Sequence, residues 1–173
     1  MRNQSGGLFV DGHMSRNTGA SVADNAGRPL AELFASEREG LRRLARLLTG
    51  SDAMAEDLVQ EAFVRLQASH TAPANRGGYL RTVLVNLCRD HLRRQARARY
   101  RAVPVPLVQA PPEVDETWAA VCRLPFRQRA AVVLRYYQDL PEAEIANLLG
   151  CRPGTVKSSL SRALAKLRKE LSP

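Results

Sequence analysis

The stretch between residues 140 and 171 constrains the fold more than any other part of the chain. Pro141 suits the start of a helix, because the N–H that proline lacks would have no partner in the first turn. This helix is expected to stop at Gly150, and Pro153 begins a second one. Apolar residues recur at helical spacing in both segments, at Ile145, Leu148, Leu149, Val156, Leu160, Ala163, Leu164 and Leu167. Two helices around a short glycine-containing turn predict a helix-turn-helix.

The outward face of the second helix predicts a contact with nucleic acid. It combines hydroxyls with cations, at Thr155, Lys157, Ser158, Ser161, Arg162, Lys166 and Lys169. Such groups hydrogen-bond to phosphates and to base edges in the DNA major groove. The alternative is an ordinary helical hairpin with a solvated basic face. A further helix predicted at 124–137 favours the DNA-reading interpretation, because helix-turn-helix modules contain such a supporting helix.

The balance of charge also points to a polyanionic partner. The 173 residues carry 26 Lys and Arg against 17 Asp and Glu, a formal net charge of +9, and most of the cations are arginines, which bind phosphate bidentately. No apolar run approaches the ~20 residues of a membrane span, so we expect a cytoplasmic protein with no membrane insertion. Cys88 and His91 share a predicted helical face without a second pair, which predicts core packing and no metal site or cofactor.

Residues 29–97 are predicted to form a helical domain ahead of the helix-turn-helix. Apolar side chains recur with helical periodicity in three segments, 29–48, 53–67 and 79–97. Gly50 is expected to end the first helix, and Ser51 or Asp52 to cap the second. Residues 68–78 are small or polar and end in a Gly-Gly pair, which predicts a loop.

Two other segments lack a helical period. Residues 1–28 are rich in Gly, Asn and Ser and are expected to be disordered. Residues 98–115 are interrupted by prolines and predicted to be a semi-extended linker, which at ~3.3 Å per residue reaches roughly 60 Å at most. DNA elements about 16 base pairs apart lie roughly 55 Å apart, so this linker would let two domains occupy both. We therefore expect an all-α protein of two small helical domains, 29–97 and 116–173, joined by a proline-containing linker.

The helix predicted at 53–67 exposes an acidic face, which is unusual in so basic a chain. Glu56, Asp57, Gln60 and Glu61 lie together on it. DNA would repel this face, so we expect it to meet a basic protein surface. The alternative explanation, carboxylates that favour the positive end of a helix dipole, accounts for the first two residues and not for the last two.

The helix predicted at 79–97 carries a row of arginines with an asparagine among them. The row comprises Arg81, Asn86, Arg89, Arg93, Arg94 and Arg97. Arginine and asparagine bind phosphates and base edges, so this surface is a second candidate for nucleic acid.

These segments, in this order, resemble an extracytoplasmic-function (group 4) sigma factor of bacterial RNA polymerase, within the sigma-70 superfamily. Residues 48–66 are similar to the family's region 2.1–2.2, and residues 79–94 to its regions 2.3–2.4. Residues 124–129 and 139–168 are similar to region 4. The resemblance implies a non-catalytic protein that binds core RNA polymerase at the β′ clamp and β flap, recognises the −35 and −10 promoter elements and helps to melt DNA. Sigma factors of this group are often held inactive by an anti-sigma factor, which is a further implied partner.

The resemblance implies a role for each matching residue. The core polymerase-binding residues on the β′ clamp would be Asp57, Gln60 and Glu61. The −10 DNA-binding residues would be Asn86, which holds an extruded base together with the 68–78 loop, and Arg89, Arg93 and Arg94, which follow the backbone. The −35 DNA-binding residues, on a helix that enters the major groove, would be Arg152, Thr155, Lys157, Ser158 and Arg162.

Two positions depart from the family pattern. Arg152 stands where the family commonly has an N-cap such as serine, a loss that costs about 1 kcal/mol. Ser159 replaces a commonly basic residue, which leaves the −35 preference open. A stand-alone transcriptional regulator is the alternative function, but it leaves the acidic helix unexplained. A recombinase would need a nucleophile with activating groups, and Tyr100 has no such setting in the sequence.

Overall fold

The structure, a computed structural model of the chain, describes residues 29–69, 73–101 and 116–172. These residues form helices and the turns between them, with no strand in the described ranges, which confirms the all-α prediction. The predicted tail at 1–28 and most of the predicted linker at 98–115 lie outside the described residues.

The helices follow one another along the chain in two groups. They are α1 Leu30–Thr49, α2 Asp52–Gln67, α3 Arg76–Arg101, α4 Glu116–Arg123, α5 Phe126–Val132, α6 Glu142–Leu149 and α7 Pro153–Leu171. A π-helical segment, Val133–Tyr137, continues α5 without a break. The first three helices form one group and the last four the other.

Local capping sets the turns where the sequence predicts them. Gly50 ends α1 in the left-handed conformation, with φ of 79°, and its N–H donates to the carbonyl of Arg46 at 2.7 Å. Ser51 caps α2, its Oγ accepting from the N–H of Met54 at 3.4 Å. Gly150 ends α6 in the same way as Gly50, with φ of 60°. A side chain at either glycine would have to adopt a backbone conformation that L-residues rarely take.

The first group packs an aliphatic core between α1, α2 and α3. Its fully buried large side chains are Leu33, Leu44, Leu48, Val59, Leu80 and Leu84. Phe34 and Phe63 meet edge to face across α1 and α2, with ring centroids 4.8 Å apart. Ion pairs on the surface join the same two helices, with Arg38 at 2.6 Å from Glu56.

The second group builds the helix-turn-helix on a supporting layer. α7 packs against α4, α5 and α6. Leu134, Ile145 and Val156 are fully buried between these helices. The stripe predicted on α7 faces this core, because Leu160, Ala163 and Leu167 are buried as well.

The two groups also pack on one another, and their buried residues form one continuous apolar cluster. α3 contacts α5 and α6 as well as α1 and α2, and α1 contacts α4 and α5. Val85 is buried to 1 % exposure although it lies about 140° around α3 from Leu80, because α3 has neighbours on two sides. The two domains and linker predicted from the sequence carry no indication of this packing.

Three helix boundaries differ from the prediction. α3 starts at Arg76, inside the predicted 68–78 loop, because the side chain of Asn75 caps it: Asn75 Oδ1 accepts from the N–H of Gly78 at 2.8 Å. α3 also runs on to Arg101, into the segment predicted as linker. The helix predicted at 124–137 begins at Phe126, after a separate short helix, α4.

Candidate nucleic-acid interface

The helix-turn-helix presents a basic face on α7, which we call the −35 face: Arg152, Thr155, Lys157, Ser158 and Arg162. Arg152, Lys157 and Arg162 are exposed, whereas Thr155 and Ser158 are half-buried. The hydroxyl of Ser158 donates to the carbonyl of Thr155 at 3.0 Å, so its oxygen is left to accept a bond from outside. The exposed cations can therefore reach phosphates, and the hydroxyls lie beside them.

The N-terminus of α7 lacks a side-chain cap, as the sequence analysis expects. Arg152 occupies the N-cap position in extended backbone and makes no capping hydrogen bond, and Pro153 follows at the first helical position. Pro153 has no N–H, and those of Thr155 and Val156 donate to the carbonyl of Arg152 at 2.9 and 3.4 Å. The N–H of Gly154 is thus left for solvent or for an anion such as a DNA phosphate.

The effect of Ser159 on the −35 preference stays a prediction. Ser159 is only 7 % exposed and faces the interior of the helix-turn-helix. Ser159 therefore contributes nothing to the exposed basic face of α7.

The predicted −10 residues all lie on the C-terminal two-thirds of α3. Asn86, Arg89 and Arg93 share one side of the helix, at spacings of three and four residues, and Arg94 lies farther round it. Arg93 and Arg94 are exposed, whereas Asn86 and Arg89 are half-buried. Arg89 Nε lies 3.5 Å from Asp90 Oδ1, which is an ion-pair distance without hydrogen-bond geometry. We call Asn86, Arg89, Arg93 and Arg94 the −10 face.

The loop that precedes α3 is shorter than predicted, because α3 begins at Arg76. Gly78 belongs to the first turn of α3 and lies against the cap: a Cβ on Gly78 would stand 2.9 Å from Asn75 Nδ2. Residues 70–72, which the sequence analysis includes in the loop, lie outside the described ranges.

The acidic face of α2 is exposed as predicted. Asp57, Gln60 and Glu61, here called the clamp face, are all exposed. Glu61 pairs with Arg65 one turn along at 2.8 Å, and Asp57 is in no ion pair among the described residues. Glu56 turns instead towards α1, where Arg38 holds it. The clamp face therefore presents two exposed carboxylates and an amide.

An apolar groove beside the clamp face is a feature that the sequence analysis missed. It measures about 550 Å³ and is lined by Leu30, Ala31, Phe34, Gln60, Phe63, Val64 and Gln67. Val64 is 58 % exposed there. Gln60 belongs to both surfaces, so the groove continues the clamp face.

Arg129 is the second feature that sequence reasoning missed. It is only 9 % exposed, and burial lowers the pKa of its guanidinium. No carboxylate among the described residues pairs with this buried charge. Its Nη1 donates to the carbonyl of Leu48 at 2.8 Å, and its Nη2 donates to those of Cys122 and Leu124. The sequence does carry a signal for this burial. Arg129 lies four residues before the apolar Val133, which places an arginine on the apolar face of the predicted helix.

Cys88 and His91 lie on one helix, α3. Cys88 is fully buried, as predicted for core packing, and burial raises the pKa of its thiol to about 12. No group of three or more potential metal ligands occurs within residues 29–69, 73–101 and 116–172. In the same ranges, no helix combines the length and the apolar character that crossing a membrane requires.

Comparison with known families adds two matches that cover most of the described chain. The model of Sigma-70 region 2 matches residues 33–98, and that of Sigma-70, region 4 matches residues 115–167. The two matches fall on the two groups of helices, and the −10 and −35 faces lie one in each.

Individual proteins are similar over nearly the whole chain. The ECF RNA polymerase sigma factor SigM of Mycobacterium tuberculosis (strain ATCC 35801 / TMC 107 / Erdman) is 36% identical over 94% of this chain and 88% of its own. The ECF RNA polymerase sigma factor SigE of Mycolicibacterium smegmatis is 35% identical over 90% of this chain and 68% of its own length. Among solved structures, the sigma factor RpoE in complex with the anti-sigma factor NepR from Bartonella quintana superposes with a TM-score of 0.65 and 26% identity, over 82% of this chain and 95% of that one.

Proposed function

The chain belongs to the extracytoplasmic-function sigma factors of RNA polymerase, and from this premise we propose that its three faces divide the work of promoter recognition. Such a factor binds core RNA polymerase and directs promoter-specific initiation. Here the clamp face would hold the polymerase, the −10 face would hold the opened strand, and the −35 face would enter the major groove.

The separation of charge supports this division. The exposed carboxylates of Asp57 and Glu61 lie on α2, while exposed cations lie on α7 and on the C-terminal half of α3. A DNA-binding surface requires cations for the phosphates, and an acidic surface suits a basic protein partner. The apolar groove next to Gln60 would add buried area to the polymerase contact.

Reconstitution with core RNA polymerase tests the function as a whole. We expect the full chain to co-purify with core polymerase and to direct transcription from its own promoter, mapped from transcripts after overproduction. A stand-alone regulator, the alternative, would bind DNA without core polymerase and would not co-purify with it.

Three further points rest on the family. Sigma factors are regulatory subunits rather than catalysts, and we propose that this chain carries out no chemistry itself. We also propose that it acts in the cytoplasm, where promoters and polymerase meet. RpoE, the structural relative, was solved with an anti-sigma factor, which supports an anti-sigma factor as a partner here too.

Two side chains of the −35 face are expected to respond differently to alanine substitution. Lys157→Ala removes a phosphate contact, so binding of the holoenzyme to all sequences should weaken alike and the salt slope should fall by about one unit. Arg162→Ala removes a base contact, at a cost of about 1–3 kcal/mol on the matching −35 sequence and little elsewhere. Titrations at several salt concentrations measure both effects.

Arg127→Ala is the control, since this exposed arginine lies on α5 and outside the −35 face. If both substitutions in the −35 face leave the salt slope and the sequence preference as they were, DNA binds another face.

Asn86→Ala is expected to impair promoter melting. Unstacking a base costs a few kcal/mol, and single-strand binders usually recover this by stacking bases on aromatic rings. The only aromatic residue between positions 66 and 97 is Tyr79, which packs against the core. Melting would then depend on one flipped base held at Asn86. We expect open complexes on duplex DNA to fall at least about tenfold, with much less loss on a template mismatched at the start site.

Permanganate footprinting of both templates with reconstituted holoenzyme measures this effect. Asn147→Ala, an exposed asparagine in α6, serves as the control, and binding to the −35 element should be unchanged in both variants. Equal loss on the two templates would argue against a role in melting, and no loss on either would remove Asn86 from the site.

A further inference from the structure

The apolar groove between α1 and α2 has the properties of a docking site for an extended peptide. None of its seven lining residues carries a charge. Val64 is exposed there, with Leu30 and Phe34 half-buried beside it, and contiguous apolar surface of this kind marks interaction sites. Gln60 and Gln67, about 10 Å apart along α2, also line the groove. Their amides can hydrogen-bond to the backbone of a bound chain.

The groove lies where the chain enters α1. Leu30 and Ala31, the first two residues of α1, line it. Pro29, which precedes them, has extended backbone with ψ of 143°, so the chain turns off the path of the helix at this point. The residues before Pro29 therefore start at the edge of the groove. A segment tethered so close acts on the groove at an effective concentration on the order of mM.

One stretch of the preceding residues matches the groove in chemistry and in length. Leu8, Phe9 and Val10 are the only three consecutive large apolar residues between positions 1 and 28. Three extended residues span about 10 Å, which equals the length of α2 that lines the groove. The 18 residues from 11 to 28 can reach as far as roughly 60 Å, so the tether is long enough for this stretch to return to the groove.

We propose that the segment Leu8-Phe9-Val10 docks in this groove in the free chain and covers Val64. Burial of three apolar side chains against an uncharged lining drives the contact. Because Gln60 belongs to both the groove and the clamp face, core polymerase must displace the segment in order to bind. The segment thus lowers the apparent affinity for core polymerase in proportion to the fraction of chains whose groove is open. The docking stands by itself, whereas the competition rests on the function proposed above.

Alkylation of Val64→Cys in the free full-length chain tests the docking without polymerase. Cysteine is itself a small apolar residue, so the groove keeps its character, and mass spectrometry separates this position from the three native cysteines. A docked segment shields the thiol from iodoacetamide. Adding Leu8→Ser and Phe9→Ser should therefore raise the alkylation rate at position 64 at least about fivefold. An unchanged rate would overturn the proposal.

The matched control removes apolar side chains elsewhere in the same part of the sequence. Met14 and Val22 lie between the Leu8-Phe9-Val10 segment and Pro29. Replacing both by serine should leave the alkylation rate of Val64→Cys unchanged. A rise equal to that of the Leu8 and Phe9 variant would show that the effect is not specific to the segment, and would also overturn the proposal.

Affinity for core polymerase gives a second measurement, in chains that keep Val64. Leu8→Ser with Phe9→Ser should strengthen binding by the same factor as the rise in alkylation rate, since both quantities follow the fraction of open grooves. The Met14 and Val22 variant should bind like the unmodified chain. Fluorescence anisotropy of the labelled chains measures both affinities.

The possible failures can be told apart. If none of the chains binds core polymerase, the proposed function fails, while faster alkylation still supports the docking. Faster alkylation with unchanged core affinity would overturn the competition. Shielding that depends on the concentration of the chain and not on Leu8 and Phe9 would assign the groove to a second copy. Shielding that requires core polymerase would assign it to the polymerase alone, and either of these results overturns the docking.

Discussion

Replacing Asp57 and Glu61 together by alanine is expected to abolish binding to core RNA polymerase while the chain keeps its helicity. Both carboxylates are exposed on one side of α2, and close charge pairs across protein interfaces contribute about 1.5–7 kcal/mol each. Losing two such pairs weakens binding at least about a hundredfold. The ion pair between Glu61 and Arg65 is exposed, so its loss has little effect on stability. Binding can be measured by fluorescence anisotropy of the labelled chain, and helicity by circular dichroism.

The control removes the same charge elsewhere. Glu116 and Glu144 are exposed carboxylates on the second group of helices, and replacing both by alanine should leave core affinity near that of the unmodified chain. If the Asp57 and Glu61 double variant binds core polymerase normally, the clamp face is assigned to the wrong side of the molecule.

Arg129→Met is expected to lower the free energy of unfolding by about 3 kcal/mol, because it removes the donor from two buried carbonyls, those of Leu48 and Leu124, and from the half-buried carbonyl of Cys122. Methionine fills a similar volume, so the loss reflects the hydrogen bonds more than a cavity. A change of this size corresponds to a fall in Tm of roughly 6–12 °C in a chain of this length. The substitution should also loosen the two groups of helices from each other, since the bond to Leu48 crosses between them. Urea unfolding followed by circular dichroism would measure the loss.

Arg127→Met is the matched control, because Arg127 lies on the same helix and is exposed, and it should change the stability by no more than about 0.5 kcal/mol. Arg129→Lys should fall between the two, because an ammonium keeps the charge but cannot match the fork of the guanidinium. Unfolding of Arg129→Met at the same urea concentration as Arg127→Met would mean that the three hydrogen bonds contribute nothing to the fold.

Most of the candidate site follows from local sequence pattern. The exposed cations of the −35 face and the exposed carboxylates of the clamp face lie opposite apolar stripes that repeat every three or four residues, and such a stripe determines which side of a helix faces water. Gly50 ends α1, Ser51 caps α2 and Pro153 begins α7, all as predicted. Such helix ends can be predicted because a cap depends only on residues within one turn.

Other features depend on what packs against a helix from a distance. Ser159 lies at the edge of the apolar stripe of α7, where burial depends on the neighbouring helices. Val85 is buried because α5 and α6 add a second partner to α3. The cap at Asn75 is local instead, and sequence composition hides it because the Gly-Gly pair that follows it is typical of a loop.

The sequence by itself therefore determined most of the helices, the caps at Gly50 and Ser51 and the charged faces that the helices expose, because each depends on residues within a few positions of one another. Only the tertiary structure decided how the two groups of helices meet. Leu48 and Arg129 are 81 residues apart along the chain, and no periodicity or spacing relates positions so far apart. Their hydrogen bond exists because folding brings the end of α1 against the start of α5, where a buried carbonyl needs a donor and a buried guanidinium needs an acceptor.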